Sequence, residues 1–436
     1  MLITTKDLQR MLATIFFAAG YHVLYADYLH PIFGYMQYRL ENREWFQWFF
    51  IYSIAVLPSL WQRGSNNAVA CGISLIYLLL YVPALITMCA MWIKPFSELF
   101  YLALILMIGQ FIIQLTGPKH EKIDVPQINQ KFFITSKIQF VLAVFTLISL
   151  IVFIAENYPH MRLVSFVDVY DLRFASRDSS SALSGYLSMW LVGVSIPFYL
   201  SLNIQQKNWL PLIVSIIISV VIYMGNGAKS ALLMPIQAYI VGWLVAKGRS
   251  PTQFLAIFMG VITWIIYVLD VDWLNILKSL VIMRLLSTGG WTMTTYYEYF
   301  SDNGWTYYSH VGPLGAIFGK IYQMELGRII GLEYLYSEDA NFNANFWATD
   351  GIAALGALGI LIVSFLMAII FRVIYRLSWK LDQRVTAILL AGLWLSILNG
   401  SLFTSMLSGG GFLLLVLLYS IQYKRYCKMQ FKLSND

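Results

Sequence analysis

Runs of uncharged, apolar residues recur along this chain at lengths that only a lipid environment explains. Residues 68–93 contain no Asp, Glu, Lys or Arg. The hydrocarbon core of a bilayer is about 30 Å thick and takes about 20 helical residues to cross. Backbone N–H and C=O groups in lipid must pair within their own segment, so such runs fold as helices. Comparable runs fall near 11–29, 45–61, 97–116, 133–154, 183–204, 208–224, 230–246, 252–269, 350–371, 385–400 and 402–423, which makes twelve spans with 68–93. Of the 436 residues, 59% are hydrophobic and 12% charged. A soluble domain carries about 25% charge, and this chain has too few charged groups to cover a water-facing surface. The expected fold class is all-α, a polytopic integral membrane protein forming a single membrane domain over residues 1–436.

The net charge of +7 matters through its distribution. Lys6 and Arg10, the 117–132 loop with Lys119, Lys122 and Lys131, and the 247–251 loop with Lys247 and Arg249 fall on one side of a twelve-span path. So do Arg372, Arg376, Lys380 and Arg384, and the tail with Lys424, Arg425, Lys428 and Lys432. Lys and Arg in short loops mark the cytoplasmic side, which predicts that both termini are cytoplasmic. Most acidic residues, from Glu156, Asp168, Asp171 and Asp178 to Glu298, Asp302, Glu325, Glu338 and Asp350, then lie outside. The cytoplasmic loops leave no room for a nucleotide-binding domain. The stretch Gly225-Asn226-Gly227-Ala228-Lys229-Ser230 is too short for a GxxxxGK[ST] phosphate loop, so an ATP-driven pump is disfavoured. Cys71, Cys89 and Cys427 are too scattered for a disulfide framework or a metal site. The first apolar run lacks a signal-peptide cleavage pattern and reads as a retained helix.

Two predicted external segments exceed ordinary loop length, 155–182 and 270–349, and long loops are commonly functional. The first carries Tyr170, Arg173 and Arg177 among Asp168, Asp171 and Asp178. Arg presents a permanently charged fork of donors suited to phosphate oxygens, although pairing with the neighbouring carboxylates is the plainer reading. Arg284 ends an apolar stretch that either lies in the interface or dips into the membrane, where an Arg faces a cavity or snorkels to the headgroups. Lys229 sits in a glycine-rich turn. Together Arg173, Arg284 and Lys229 would suit an anion with several phosphate oxygens. Trp291, Tyr296, Tyr297, Tyr299, Phe300, Trp305, Tyr307, Tyr308, Tyr322, Tyr334, Tyr336, Phe346 and Trp347 offer faces for sugar rings, or form an interfacial belt. Acid–base candidates are Asp350, Glu298 and His310, with Asp302 one helical turn from Glu298 and Glu325 further on. His22 reads as an intramembrane group, Asp27 and His30 as interfacial ones. Asp270-Val271-Asp272 spells a D-x-D of the kind that holds divalent metals, a tripeptide common by chance.

In order, Val169-Tyr170-Asp171-Leu172-Arg173, Gly225–Ser230, Arg284-Leu-Leu-Ser-Thr-Gly289-Gly290 with Tyr297-Glu298-Tyr299-Phe300, and Asn345-Phe-Trp-Ala-Thr-Asp350-Gly351-Ile-Ala-Ala-Leu-Gly356-Ala-Leu-Gly359 resemble the O-antigen and capsule repeat-unit polymerases, the Wzy-type family. The likeness covers roughly residues 165–425. It implies a GT-C-like glycosyltransferase on the outer face of the bacterial plasma (inner) membrane, acting in lipopolysaccharide or capsule biosynthesis. Its substrates would be undecaprenyl-diphosphate-linked oligosaccharides, polymerised without a cofactor or metal. Arg173, Arg284 and Lys229 would bind substrate, with Tyr170, Arg177 and Tyr297 beside them. Asp350, Glu298 or His310 would take the proton from the attacking hydroxyl. Membrane lipids, a chain-length regulator and a flippase would be the partners, with no nucleic acid. Related O-antigen ligases carry a His-Asn pair where this chain has Asn345-Phe346, which disfavours the ligase alternative. A flippase or transporter would concentrate its polar groups near the midplane, often with internal repeats, and neither feature is evident here.

Overall fold

The computed structural model describes residues 4–61, 67–117, 136–165, 169–247, 251–269, 271, 274–337, 340–343 and 345–421; the side chains of Tyr170 and of residues 177–179 also fall outside the described set. Among the described residues every regular element is helical. Among the described residues eight helices are long and apolar enough to cross a membrane: Ala68–Met91, Phe96–Gln114, Ser136–His160, Ala182–Gln206, Trp209–Asn226, Lys229–Ala246, Pro251–Val268 and Thr349–Ser378. Gln383–Asn399 and Gly411–Ile421 are apolar but shorter. The expected run 402–423 is broken into Leu402–Met406 and Gly411–Ile421, because Gly410 takes φ +84°, a conformation no helix continues through.

Polar residues set the starts of these helices. Asn67 accepts from the Val69 and Ala70 N–H groups, Ser181 from Ser184, Asn208 from Leu210 and Asp382 from Arg384 and Val385. Each satisfies amides that the first helical turn leaves without an intrahelical acceptor. Prolines shape the interiors. Pro31, Pro83 and Pro197 each follow a five-residue π-helical turn, Tyr25–Leu29, Tyr77–Tyr81 and Leu191–Ser195. In each case the carbonyl four residues before the proline belongs to the middle of that turn (Asp27, Leu79, Gly193). A proline ring crowds that carbonyl and supplies no N–H to it, and widening the turn relieves the clash without ending the helix.

Ala68–Met91 is the pillar of the molecule, fully buried along its most apolar window. Its Tyr77 and Tyr81 hydroxyls donate to the carbonyls of Ala55 and Ile54, 2.8 and 3.0 Å away, at the otherwise unpaired end of Trp45–Val56. Most of the other spans are less than half buried and present Phe140, Val141, Leu147, Ile213, Ile217, Ile236, Phe365 and similar side chains outward. Apolar groups outside and a sealed apolar pillar within fit a helical protein embedded in lipid.

The 270–349 segment is more than a loop. Leu274–Lys278 leads through the π-helical Ser279–Ser287 into Thr288–Asn303, whose first nine residues, Thr288–Tyr296, are buried. Gly290 lies so close to Ala84 and Thr87 of the pillar that a Cβ there would overlap both. Thr349–Ser378 is interrupted at Leu355 and Gly356, the latter at φ +59° and ψ −134°. The break folds the first turns back so that Gly351 and Gly359 touch through their backbones, an approach that only glycines permit.

Candidate functional site

Three cations from distant parts of the chain share one neighbourhood. Arg173 lies on Val169–Ser179, Lys229 opens Lys229–Ala246, and Arg284 is exposed on Ser279–Ser287. The charges of Arg173 and Arg284 both act on Lys229. The turn between the two spans places them. Gly227 takes the left-handed conformation at φ +66° that ends Trp209–Asn226, and its carbonyl accepts from Arg173 Nη2 at 3.2 Å. A Cβ on Gly227 would overlap Val169 of the same helix as Arg173. That helix is tied to the end of the preceding span by buried Asn157, whose Oδ1 accepts from Ser176 and Ser180 at 2.9 and 3.0 Å. Lys229 also stands at the positive end of an eighteen-residue helix, which adds to the local positive potential. The side chains of Tyr170 and Arg177, and all of Asp168, lie outside the described residues.

A second group is built around the kink of Thr349–Ser378. Asp350, buried, occupies the first turn of the folded-back portion, where a helix N-terminus favours a carboxylate. The chain over residues 304–311 runs alongside. Thr306 and Tyr307 donate their N–H groups to Ala353 and Ala354 at 2.9 and 3.1 Å, filling carbonyls that the kink frees. Tyr308 donates its hydroxyl to Gly359 at 3.3 Å. Tyr307 and Tyr308 both adopt positive φ, +48° and +62°, a strain of about 1–3 kcal/mol each that the surrounding contacts hold in place. This turn delivers His310, whose Nδ1 is 2.7 Å from Thr306 Oγ1 and whose Nε2 is 3.4 Å from Asp350 Oδ1. The second distance is longer than a well-formed hydrogen bond. Burial, with a contribution from Asp350, pushes the Tyr308 hydroxyl up to about 12.

Glu298, the remaining acid–base candidate, sits elsewhere. Arg39 Nη2 bridges its two oxygens at 2.8 and 2.7 Å, and Tyr334 adds a third contact at 3.2 Å. Burial pushes its carboxyl up while Arg39 opposes the shift. Asp302, on the same helix, is held below the usual carboxylate range by Lys94, whose Nζ is 2.5 Å away. Tyr297 stacks on Trp92 at 5.1 Å and donates to Glu98 at 3.3 Å; burial, followed by Glu98, pushes its hydroxyl up to about 12.

Arg39, Lys94 and Thr306 went unmarked in the sequence. Arg39 and Lys94 stand in short connections, and only the fold brings them to partners more than 200 positions away. The aromatic crowd, a candidate sugar-facing surface or interfacial belt, is core in part. Trp291, Tyr296, Phe300, Phe346 and Trp347 are buried, and the Trp291 and Tyr296 polar tips go to the Met36 and Phe342 carbonyls. A segment this close to the pillar needs its own apolar filling. His22 bonds Tyr52 at 3.0 Å and His30 the Tyr38 carbonyl at 2.8 Å, so both are engaged within the first helices. Asp270 and Asp272 lie outside the described residues, and no cluster of three or more His, Cys, Asp or Glu suited to a metal occurs among the described ones. Comparisons with family models, with curated proteins and with solved structures find no match.

Proposed function

We propose that this protein is a glycosyltransferase that polymerises lipid-diphosphate-linked oligosaccharide repeat units, of the kind used in O-antigen or capsule synthesis. The observation that carries the reading is Arg173 held on the Gly227 carbonyl, two residues before Lys229 at a helix N-terminus, with Arg284 contributing to the same positive field. A diphosphate leaving group accumulates negative charge as the anomeric C–O bond to phosphate breaks, and fixed positive charge at that point lowers the barrier. In this reading the growing chain is the donor. A hydroxyl of a new lipid-linked unit attacks its anomeric carbon, the lipid diphosphate departs into the cationic cluster, and the hydroxyl proton passes to a base. Asp350 is the preferred base. His310 orients it from one side, and Thr306 fixes the His310 ring from the other. His310 is the next choice. Glu298, closed by Arg39 and Tyr334, is assigned a structural part. Tyr297 is placed as a wall of the acceptor site.

The same reading takes twelve spans, with Thr5–Leu24 and Trp45–Val56 crossing at the front and Gln383–Asn399 and the split 402–421 region at the back. It places both termini in the cytoplasm and the cationic cluster outside, in a bacterial inner membrane. A flippase and a chain-length regulator would be its neighbours. Arg173→Ala and Arg284→Ala are expected to leave the protein inserted and to cut chain growth about 100-fold or more. In cells the surface polysaccharide would then carry a single repeat unit. A normal ladder of long chains from both variants would reject the assignment.

A further inference from the structure

The stretch that follows His310 carries an apolar surface that the proposed chemistry does not use. Ile317, Phe318, Ile321 and Met324 are 72%, 79%, 54% and 46% exposed, four large apolar side chains within eight residues. Exposure of this kind is ordinary on a membrane span, but these residues belong to none. Their depth follows from their attachment. The preceding residues 306–308 bond to Ala353 and Ala354, just before the break at Leu355 and Gly356, and to Gly359, just after it, so the stretch leaves the molecule level with the end of the span that begins there. Gly312–Phe318 is one short helix. Gly315 packs against the Ser309 carbonyl with no room for a Cβ, and the Ile321 N–H donates to Ser309 Oγ at 3.3 Å. Both ties turn the chain back on itself and leave the apolar side chains at its outer edge. Lys320 lies exposed among them, and Tyr307 is exposed at the base.

We propose that residues 312–324 insert into one leaflet of the bilayer, with Ile317, Phe318, Ile321 and Met324 among the acyl chains and Lys320 at the phosphate level. An aqueous setting would leave four large apolar side chains in water beside a lipid surface that can take them up. Apolar side chains flanked by a cation and a tyrosine are what an interfacial segment requires. Ser309, which holds the stretch, immediately precedes His310, which is itself held by Thr306.

The test uses full-length protein in phospholipid vesicles, with Cys427→Ser and single introduced cysteines Ile317→Cys, Phe318→Cys and Ile321→Cys carrying an environment-sensitive fluorophore. Glu333→Cys, exposed on the helix Leu326–Leu335, serves as the water-facing reference. All four positions are exposed, so the labels leave the core intact. The inference predicts blue-shifted emission at 317, 318 and 321, quenching by phospholipids spin-labelled near the headgroup, and at least threefold weaker quenching by aqueous iodide than at 333. Iodide quenching equal to that at 333, with no effect of the spin-labelled lipid, would overturn it. Shielding from both quenchers would also overturn it, and would assign the patch to a protein partner instead.

Discussion

Glu298 and Asp350 are two buried carboxylates in neighbouring stretches of the same chain, and their surroundings differ in kind. Glu298 is closed: Arg39 bridges both of its oxygens and Tyr334 donates to one of them. Asp350 has a looser partner, His310 at 3.4 Å, set on a backbone turn held at two strained residues. A buried charge that is fully paired resists change, because any reaction must first break the pair. A buried charge whose partner is long and adjustable can accept a proton and return it. Burial alone therefore does not distinguish a structural acid from a reactive one; the completeness of the hydrogen bonding does.

Substitutions separate the two cases. Asp350→Asn is expected to lower polymer formation about 100-fold or more, the ordinary worth of a general base, with the melting temperature of the detergent-solubilised protein nearly unchanged. Glu298→Gln is expected to do the reverse. Leaving the partly buried Arg39 without its counter-charge costs about 1–3 kcal/mol, read as a lower melting temperature and less protein in the membrane, while activity per folded molecule persists. The double replacement Arg39→Met with Glu298→Met should regain most of that stability. Failure of the double variant to recover activity along with its folding would return Glu298 to the list of bases. Gly356→Ala tests the frame under Asp350. Its φ of +59° and the nearby Trp305 ring disfavour a side chain, for a loss of about 1–3 kcal/mol that displaces Asp350 and lowers activity together with stability.

The smallest effect belongs to the Lys94–Asp302 contact. Asp302 is two-thirds exposed, and solvent screening limits such a pair to about 1 kcal/mol or less. Lys94 depresses the Asp302 pKa in the folded protein, so the contribution is present at neutral pH. It is lost as pH falls through the lowered value. Melting curves of wild type and Asp302→Asn should therefore differ slightly at pH 7 and converge below the ordinary carboxylate range.

Sequence and structure agree best where a single physical requirement decides the outcome. The apolar runs 68–93, 208–224, 230–246 and 252–269 differ from Ala68–Met91, Trp209–Asn226, Lys229–Ala246 and Pro251–Val268 by two residues or fewer at each end, because lipid admits few alternatives to a helix of that length. Arg173 does reach the glycine turn just before Lys229, as its donors allow. The role of Arg39 was illegible. Nothing local to an arginine in a short connection indicates a partner 259 positions away. The glycine pattern after Asp350 was visible as a pattern, but nothing in it indicates that Gly356 breaks the helix and lets Gly351 meet Gly359. For the aromatic-rich segment two readings stood open, a surface for sugars and an interfacial belt, because aromatic composition does not reveal which way the rings point. Five of the thirteen, Trp291, Tyr296, Phe300, Phe346 and Trp347, turn inward.

The most direct measurement is polymerisation by the purified protein in vesicles supplied with a defined lipid-diphosphate-linked repeat unit and no nucleotide. The account predicts a ladder of products extended by whole repeat units, present with wild type and absent with Arg173→Ala, Arg284→Ala and Asp350→Asn. A wild-type protein that leaves the repeat unit unextended, or three variants that extend it as fast as wild type, would contradict it.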